Sequence, residues 1–524
     1  MELGSFISLS LVGFGLNLAA RIQSIIGNGN NGTIVDIECS LSNSLPAIVI
    51  VGFANKAVDE AKERIRGAFA DSHILLPRKR ITINLAPADL PKADSGFDLA
   101  IAVAVMRASE QIPDMFSAPD AFIGELGLNG EVRAVRGVIG KLLAGRSKGV
   151  RNFYIPAANM KQAQLVPNVR LFPVENLAEL YAHCNQITVI KSITTKDGVL
   201  ESKPATERSD ISLSEVVGQL QAKRALEIAA AGGHNVFFSG PPGTGKSMLA
   251  KALPSILPPL EREEVLEVTH LHSLASHDYE KIITDRPFRS PHHSASHVAI
   301  IGGGLTLRPG EISLSHRGVL FCDELPEFSR MTLEALRQPL EDRIVTIARA
   351  KDTAEYPANF ILVATANPCP CGYYGTSGTC RCLPHQISRY QQRLSGPIID
   401  RIDLHAQVSE IKHSTLLAKS IGQETDEGVR RRIAKAREVQ ASRYGHRGKL
   451  NADMTNADIK RYAQLELEAK ELLDAAAAKL NISARAYMRA VKVARSIADL
   501  AESEVITVAH ITEALAYRAP QAAS

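Results

Sequence analysis

Val236-Phe-Phe-Ser-Gly240-Pro-Pro-Gly-Thr-Gly-Lys246-Ser247-Met-Leu-Ala-Lys-Ala-Leu253 runs from a short apolar stretch through a glycine-rich turn into a helix-forming stretch. Strand, loop and helix in that order are the setting a P-loop requires. Gly240, Pro241, Pro242, Gly243, Thr244 and Gly245 turn backbone N–H groups toward phosphate oxygens, and the helix opening at Lys246, Ser247 and Met248 adds its positive dipole end. Lys246 is placed to meet the β- and γ-phosphates, and the Ser247 hydroxyl to ligate Mg²⁺. The expected ligand is ATP with Mg²⁺.

Working outward, Gly318-Val-Leu-Phe-Cys-Asp323-Glu324 is a second buried strand, and it ends in two acids. Asp323 suits the Mg²⁺, and Glu324 suits proton abstraction from an attacking water. Phe360-Ile-Leu-Val-Ala-Thr-Ala366 is a third such strand, ending at Asn367, whose amide can orient that water. Arg401, in Ile399-Asp-Arg-Ile-Asp403, stands in the order and spacing of an arginine finger that reaches a neighbouring subunit. Arg485, opening a helix in Ile482-Ser-Ala-Arg-Ala, fits a second nucleotide-sensing arginine. Ser247 and Asp323 lie 76 residues apart. A βαβ unit needs only roughly 30. Extra structure is therefore expected between them, including Arg286-Pro-Phe-Arg-Ser-Pro-His-His293, Gly302-Gly-Gly304 and Arg308-Pro-Gly-Glu311.

The 524 residues suffice for three or four domains. A net charge of +4 is too mild for a protein that coats nucleic acid, so any such contact should be a local patch or pore lining. Trp is absent, which argues against aromatic stacking platforms. Residues 1–188 alternate strand-like runs (Thr33–Glu38, Ala47–Val51, Arg80–Leu85) with helical ones (Ala57–Asp71, Asp98–Ser109), while Ile187–Ile193 is ambiguous. A polar linker is expected over 189–212, an α/β core over 213–410 and a helical domain over 411–524. No breaker-free run reaches 18 apolar residues, so no membrane helix is expected. Phe6–Ala20 imitates an export signal, but Glu2 and the lack of a leading Lys or Arg make it a buried strand or helix of the first domain.

Seven cysteines are no secreted disulfide framework, and an ATP motor needs cytoplasmic nucleotide, so the expected compartment is the cytoplasm. Four of them, Cys369, Cys371, Cys380 and Cys382, fall within 14 residues around a glycine-rich turn. Tetrahedral Zn²⁺ is the economical expectation. Reduced loop thiols or a redox pair are the alternatives.

Phe288-Arg-Ser-Pro-His-His293, Gly302-Gly-Gly304, Pro309-Gly-Glu-Ile-Ser-Leu314, Asp323-Glu-Leu-Pro-Glu-Phe328 and Arg337-Gln-Pro-Leu-Glu341 resemble the magnesium-chelatase-like AAA+ ATPases. The subgroup is the ComM/YifB competence-associated one, and Asn84-Leu-Ala-Pro-Ala-Asp-Leu-Pro-Lys92 resembles its N-terminal domain. The likeness covers nearly the whole chain and is weakest over the first 35 or so residues. It implies an α/β AAA+ P-loop core with a C-terminal helical lid and an N-terminal α+β domain of the Lon-protease-like (S5-like) kind. It also implies a homo-hexamer with DNA helicase and branch-migration activity on single-stranded or branched DNA. In such motors the turn between Ile344-Val-Thr-Ile-Ala348 and Ala354-Glu-Tyr-Pro357 is a pore hairpin, which would put Arg349 and Lys351 against phosphates. Arg289, His292, His293 and Arg308 are further candidates for DNA.

When the Lon nucleophile run is laid on Pro91-Lys-Ala-Asp-Ser-Gly-Phe-Asp98, the Ser falls on Gly96 and the Lys of the later run falls on Ile139. Ser95 and Lys141 stand nearby but off position, so a structural or assembly role is expected instead of peptidase activity. The runner-up function is a chelatase-like chaperone that remodels a protein or assists metal insertion. Asp210-Ile-Ser-Leu-Ser214 has the letters of a metal-ion-dependent adhesion site, yet it follows a charged linker instead of an apolar strand, so the match is read as chance.

Overall fold

The computed structural model describes residues 20–28, 31–51, 56–87, 96–114, 120–196, 211–304, 307–348, 353–375, 378–393, 396–411 and 424–518. The chain divides into two compact units, one of residues up to 197 with 278–281, the other of the remainder. Phe6–Ala20 lies outside the described residues apart from Ala20, which opens a strand.

The first unit is built on an eight-stranded mixed sheet. Its centre is the antiparallel pair Ala20–Asn28 and Asn31–Ser42, flanked by Arg80–Ala86 and Ala47–Val51 on one side and by Asp120–Phe122, Asn152–Pro156 and Arg170–Val174 on the other. Along Arg80–Ala86 every second residue (Ile81, Ile83, Leu85) is buried, the alternation of a strand with one face on the core. Helix Asp98–Ala108 buries Asp98 through Met106, so it is apolar all round because protein surrounds it. At its start the Asp98 carboxylate accepts from Arg64 Nε at 2.7 Å and from the Leu126 amide at 3.2 Å. Burial still pushes this carboxyl up to about 6.

The expected linker from residue 189 begins later. Ile190 is buried, Ile193–Thr194 pairs with Arg170–Val174, and the Thr195 amide donates to the Val169 carbonyl at 2.9 Å. Isolated apolar residues in a polar stretch thus close the sheet edge.

The core sheet of the second unit has five parallel strands, labelled β1 (Val236–Ser239), β2 (Phe288–Arg289), β3 (Val319–Cys322), β4 (Ile361–Ala366) and β5 (Leu404–Gln407). Their order is β5-β1-β4-β3-β2. Phe288-Arg289, expected within the extra structure, is therefore the edge strand of the core. The additional pieces follow it: helix His297–Ile301, the short antiparallel pair Gly302–Gly303 with Arg308–Pro309, and helix Glu311–Leu314. A second antiparallel hairpin, Ile344–Ala348 with Thr353–Pro357, precedes β4. The Tyr356 hydroxyl donates to the Leu307 carbonyl, tying this hairpin to the first.

From Asp426 on the regular elements are helices, with Thr425, Thr455 and Ser483 as side-chain N-caps of three of them. Helix Ala484–Leu500 is pinned to the core sheet. His234 beside β1 meets Ser496 Oγ through Nε2 at 2.7 Å and Asp403 through Nδ1 at 3.4 Å. The carboxylate of Asp426 accepts from Ser212 Oγ and from the Ser214 amide, both at 2.8 Å. Those serines therefore anchor the entry to the core instead of lining a metal site. Asp210 lies outside the described residues. Among the described residues no helix is long and apolar enough to cross a membrane.

Candidate functional site

Parallel pairing sets the site. Ser239 is level with Ala366, and Cys322 with Ala364, so the loops after β1, β3 and β4 leave the same sheet edge together. Ligands of open parallel sheets bind at that edge. Asp323 thus lands beside Thr365, whose hydroxyl donates to Asp323 Oδ1 at 2.6 Å. The other oxygen of Asp323 accepts from Ser247 Oγ at 3.0 Å. A hydroxyl and a carboxylate held in contact on one wall form a suitable oxygen donor set for Mg²⁺.

Lys246 opens helix Lys246–Ile256 and is buried. Its ammonium donates to the carbonyls of Gly240 and Pro241 at 2.7 Å each and to Asn367 Oδ1 at 3.1 Å. Burial lowers its pKa, against the pull of Asp323 and Glu324. Gly243 and Gly245 have φ of +77° and +88°, and nothing lies within 4 Å of where a Cβ would stand. The backbone at these two positions is therefore open to close approach. Met248 is half-buried on the same helix and packs against the core, so it is a packing residue.

Glu324 is exposed and has left-handed backbone angles, φ 50° and ψ 54°. Such a conformation in a non-glycine residue costs energy and persists where the surroundings enforce it. Here the Glu324 amide donates to Thr365 Oγ1 at 2.9 Å, and Oε1 receives Asn367 Nδ2 at 3.5 Å. Lys246, Ser247, Asp323, Glu324 and Asn367 are thus one connected group.

Arg401 and Arg485 instead share one carboxylate, that of Glu341. Both guanidinium groups bind it, Arg485 Nη2 at 2.8 Å, and Arg401 holds that carboxyl below its usual range. Arg489, one turn after Arg485, donates to the Asp400 and Ile402 carbonyls, so the lid helix grips the loop that carries Arg401.

Among the DNA candidates, Arg289 forms a two-pronged pair with Glu311 at 2.5 and 2.6 Å, which neutralises much of its charge. The His292 and His293 rings lie tilted against each other with centroids 4.1 Å apart, and Arg308 pairs with Gly303 in the short hairpin. Arg349 and Lys351 lie outside the described residues, between Ala348 and Thr353 in the sequence. Ser95 also lies outside them, and Lys141 is buried with Nζ 3.3 Å from the Ile25 carbonyl.

The sulfurs of Cys369, Cys371, Cys380 and Cys382 all lie within 4.8 Å of one another. Backbone amides of Tyr373 and Arg381 hold the Cys371 thiol down to about 6.

Three residues of the arrangement escaped the sequence reading. Thr365 bridges Asp323 and the Glu324 backbone, and its signal was one hydroxyl in an otherwise apolar strand. Glu341 joins the two arginines and closes the quoted Arg337–Glu341 run. Gln219, at φ +52°, sends its amide to the Ser409 carbonyl at 2.6 Å and to that of Thr244 in the phosphate loop at 3.4 Å.

Comparison with known proteins finds three family matches along the chain. Residues 212–416 match the family described as magnesium chelatase, subunit ChlI. Residues 423–518 match that subunit's C-terminal family, and 37–159 match a further family described as subunit ChlI of Mg-chelatase. The Competence protein ComM of Haemophilus influenzae is 42% identical over 95% of this chain and 97% of its own length. The YifB protein of Salmonella typhimurium is 41% identical over 94% and 95%. Magnesium-chelatase subunit ChlI of Euglena gracilis is 24% identical over 42% of this chain and 65% of its own.

Proposed function

The chain belongs to the magnesium-chelatase-related AAA+ proteins of the ComM/YifB type, and on that premise we propose that it is a Mg²⁺-ATP-driven DNA motor. In this reading it is a hexameric helicase or translocase, working in the cytoplasm, that promotes branch migration during recombination of transforming DNA. The observation that carries it is the connected group at the sheet edge, in which one carboxylate is tied to Ser247 and the next to Asn367.

Lys246 exchanges its loop carbonyls for phosphate oxygens. Ser247 and Asp323 would hold Mg²⁺, which would supply positive charge to the phosphates. Glu324 takes a proton from a water whose oxygen bonds to the γ-phosphorus, while the bond to the bridging oxygen of ADP breaks. Asn367 orients that water and keeps Glu324 in place. Arg401 reaches the phosphates of a neighbouring subunit and meets the charge that develops there, and Arg485, tied to the same half-exposed Glu341, senses the nucleotide. The first unit is a Lon-protease-like (S5-like) assembly domain without peptidase chemistry.

The DNA half of the reading draws support from a near full-length relative named for competence and from the hairpin Ile344–Pro357. Replacing Arg349 and Lys351 with Ala tests it. DNA affinity should fall about equally for all sequences and its salt dependence should flatten, because phosphate contacts act through counterion release. Hydrolysis without DNA should survive, and stimulation by DNA should disappear. An unchanged salt slope with unchanged stimulation would move the DNA path elsewhere. Absence of any DNA stimulation in the unaltered chain would favour the second reading, a chaperone that remodels a protein partner or assists metal insertion. The match of residues 212–416 to a chelatase subunit speaks for that one.

A further inference from the structure

The four-cysteine knuckle starts two residues after Asn367 and has no role in the hydrolysis just described. Its sulfurs are free thiols, with Cys369–Cys371 at 3.4 Å, Cys369–Cys380 at 3.8 Å and Cys371–Cys380 at 3.6 Å. A tetrahedral Zn²⁺ site with Zn–S bonds of about 2.3 Å has sulfurs about 3.8 Å apart. The spacing fits such a site and is far too long for a disulfide, at about 2.05 Å. Four thiolate donors with no carboxylate or imidazole select zinc or iron over Mg²⁺ or Ca²⁺. The Tyr374 amide donates to Cys369 Sγ at 3.3 Å, the outer-shell support such a sulfur needs.

The knuckle also touches the phosphate loop. Gly372, between the two cysteine pairs, has φ +87°, and a Cβ there would lie 2.5 Å from Pro242 Cδ and 3.0 Å from Pro242 Cγ. Its backbone therefore rests directly on the loop that precedes Lys246. On the far side, helix Pro384–Arg393 returns to the site. Gln391 Nε2 donates to the Pro368 carbonyl at 3.2 Å, and Arg393 pairs with Glu327 at 3.0 Å. The segment between those anchors has little apolar core, since Cys369 is its one buried side chain before Tyr390 among the described residues. A metal crosslink is what can hold its shape.

We propose that Cys369, Cys371, Cys380 and Cys382 bind one zinc ion, and that the zinc-pinned knuckle, pressing through Gly372 on Pro242, sets the shape of the phosphate loop and hence nucleotide affinity. The inference rests on the reading of residues 240–247 as the nucleotide site.

The test uses the full chain, measuring metal by mass spectrometry and binding of a fluorescent ADP analogue with Mg²⁺. One zinc per chain is expected. Cys380→Ser with Cys382→Ser should lose the zinc and weaken nucleotide binding by about tenfold. Gly372→Ala should keep its zinc, because every thiol remains, and still weaken nucleotide binding about tenfold by displacing Pro242. This second variant decides the matter if the cysteine variant does not fold. A chain that binds nucleotide but takes up no zinc, even when Zn²⁺ is supplied during refolding, overturns the metal site, as does iron in its place. Wild-type nucleotide affinity in Gly372→Ala, or in a folded zinc-free cysteine variant, overturns the coupling. Neither measurement contains DNA. A chain that behaves as expected here but is not stimulated by DNA loses only the DNA reading, and one that binds zinc but no nucleotide loses the motor reading with the coupling.

Discussion

Among the described residues two lysines are buried, Lys141 in the first unit and Lys246 in the second. Each lies early in a helix that follows a glycine with positive φ, Gly137 or Gly245. Lys141 reaches the Ile25 carbonyl under the central strand pair, and Gly27 is close enough that a Cβ there would touch its side chain at 3.4 Å. Lys246 holds two carbonyls of its own loop and an amide oxygen, with open space at Gly243 and Gly245 of that loop. The acids divide in the same way. Asp98 is buried and closed in by Arg64 and the Leu126 amide, whereas Asp323 and Glu324 stand at a sheet edge that a ligand can reach. A buried charge with fixed partners on every side is structural. One whose partners can be exchanged for a ligand is available for chemistry.

The sharpest break in that comparison is Glu324→Gln. Lys246, Ser247 and Asp323 remain, so nucleotide affinity should hold while hydrolysis falls by about a thousandfold. Near wild-type phosphate release would remove Glu324 from the water-activating role. Next in size is Arg64→Ala, which strands Asp98 and should destabilise the first unit by about 3 kcal/mol at pH 8. The sign with pH follows from the raised carboxyl, about 6 when folded against 3.8 for an aspartate in water. Its contribution to stability is present below about pH 4 and lost as pH rises through 6. At pH 5 the stranded Asp98 is protonated and needs no counter-charge, so the variant's deficit should shrink. Hydrogen exchange along helix Asp98–Ala108 measures both, and a deficit independent of pH would place the cost in packing.

Asn367→Ala should slow hydrolysis about a hundredfold with little change in nucleotide affinity. A purely structural Asn367 would shift the melting temperature and leave the rate of the folded fraction alone. The smallest effect belongs to Lys141→Met, which should change stability by no more than about 1 kcal/mol, because an apolar side chain of similar volume fills the same space. It should leave hydrolysis untouched, where Lys246→Met should abolish nucleotide binding. The unaltered chain should leave unfolded proteins uncut. ATP-dependent cleavage that vanishes in Lys141→Met would make Lys141 a catalytic base and collapse the contrast between the two lysines.

The fold was legible wherever local pattern carries it. The alternation in Arg80–Ala86, the apolar runs of β1, β3 and β4, and the capped helices after Thr425 each obey a period that a single segment reveals. The edge strand β2 was illegible as a strand because Phe288–Arg289 is two residues long and exists through its pairing with β3. Ile193–Thr194 failed for the same reason, being a strand by virtue of the neighbour it closes on. Thr365 looked like one more β-branched strand residue until register brought it beside Asp323.

By itself the sequence determined the phosphate loop, the strand ends that carry Asp323, Glu324 and Asn367, and the cluster of four thiols, because spacing within a short segment limits what its backbone can do. Tertiary structure alone decided which distant charges meet. Arg401 and Arg485 stand 60 and 144 residues from the Glu341 they share, and Gly372 reaches Pro242 across most of the core sheet's length in sequence. Such contacts depend on strand register and on how the lid helix packs, quantities set by the whole hydrophobic core, so no local period announces them.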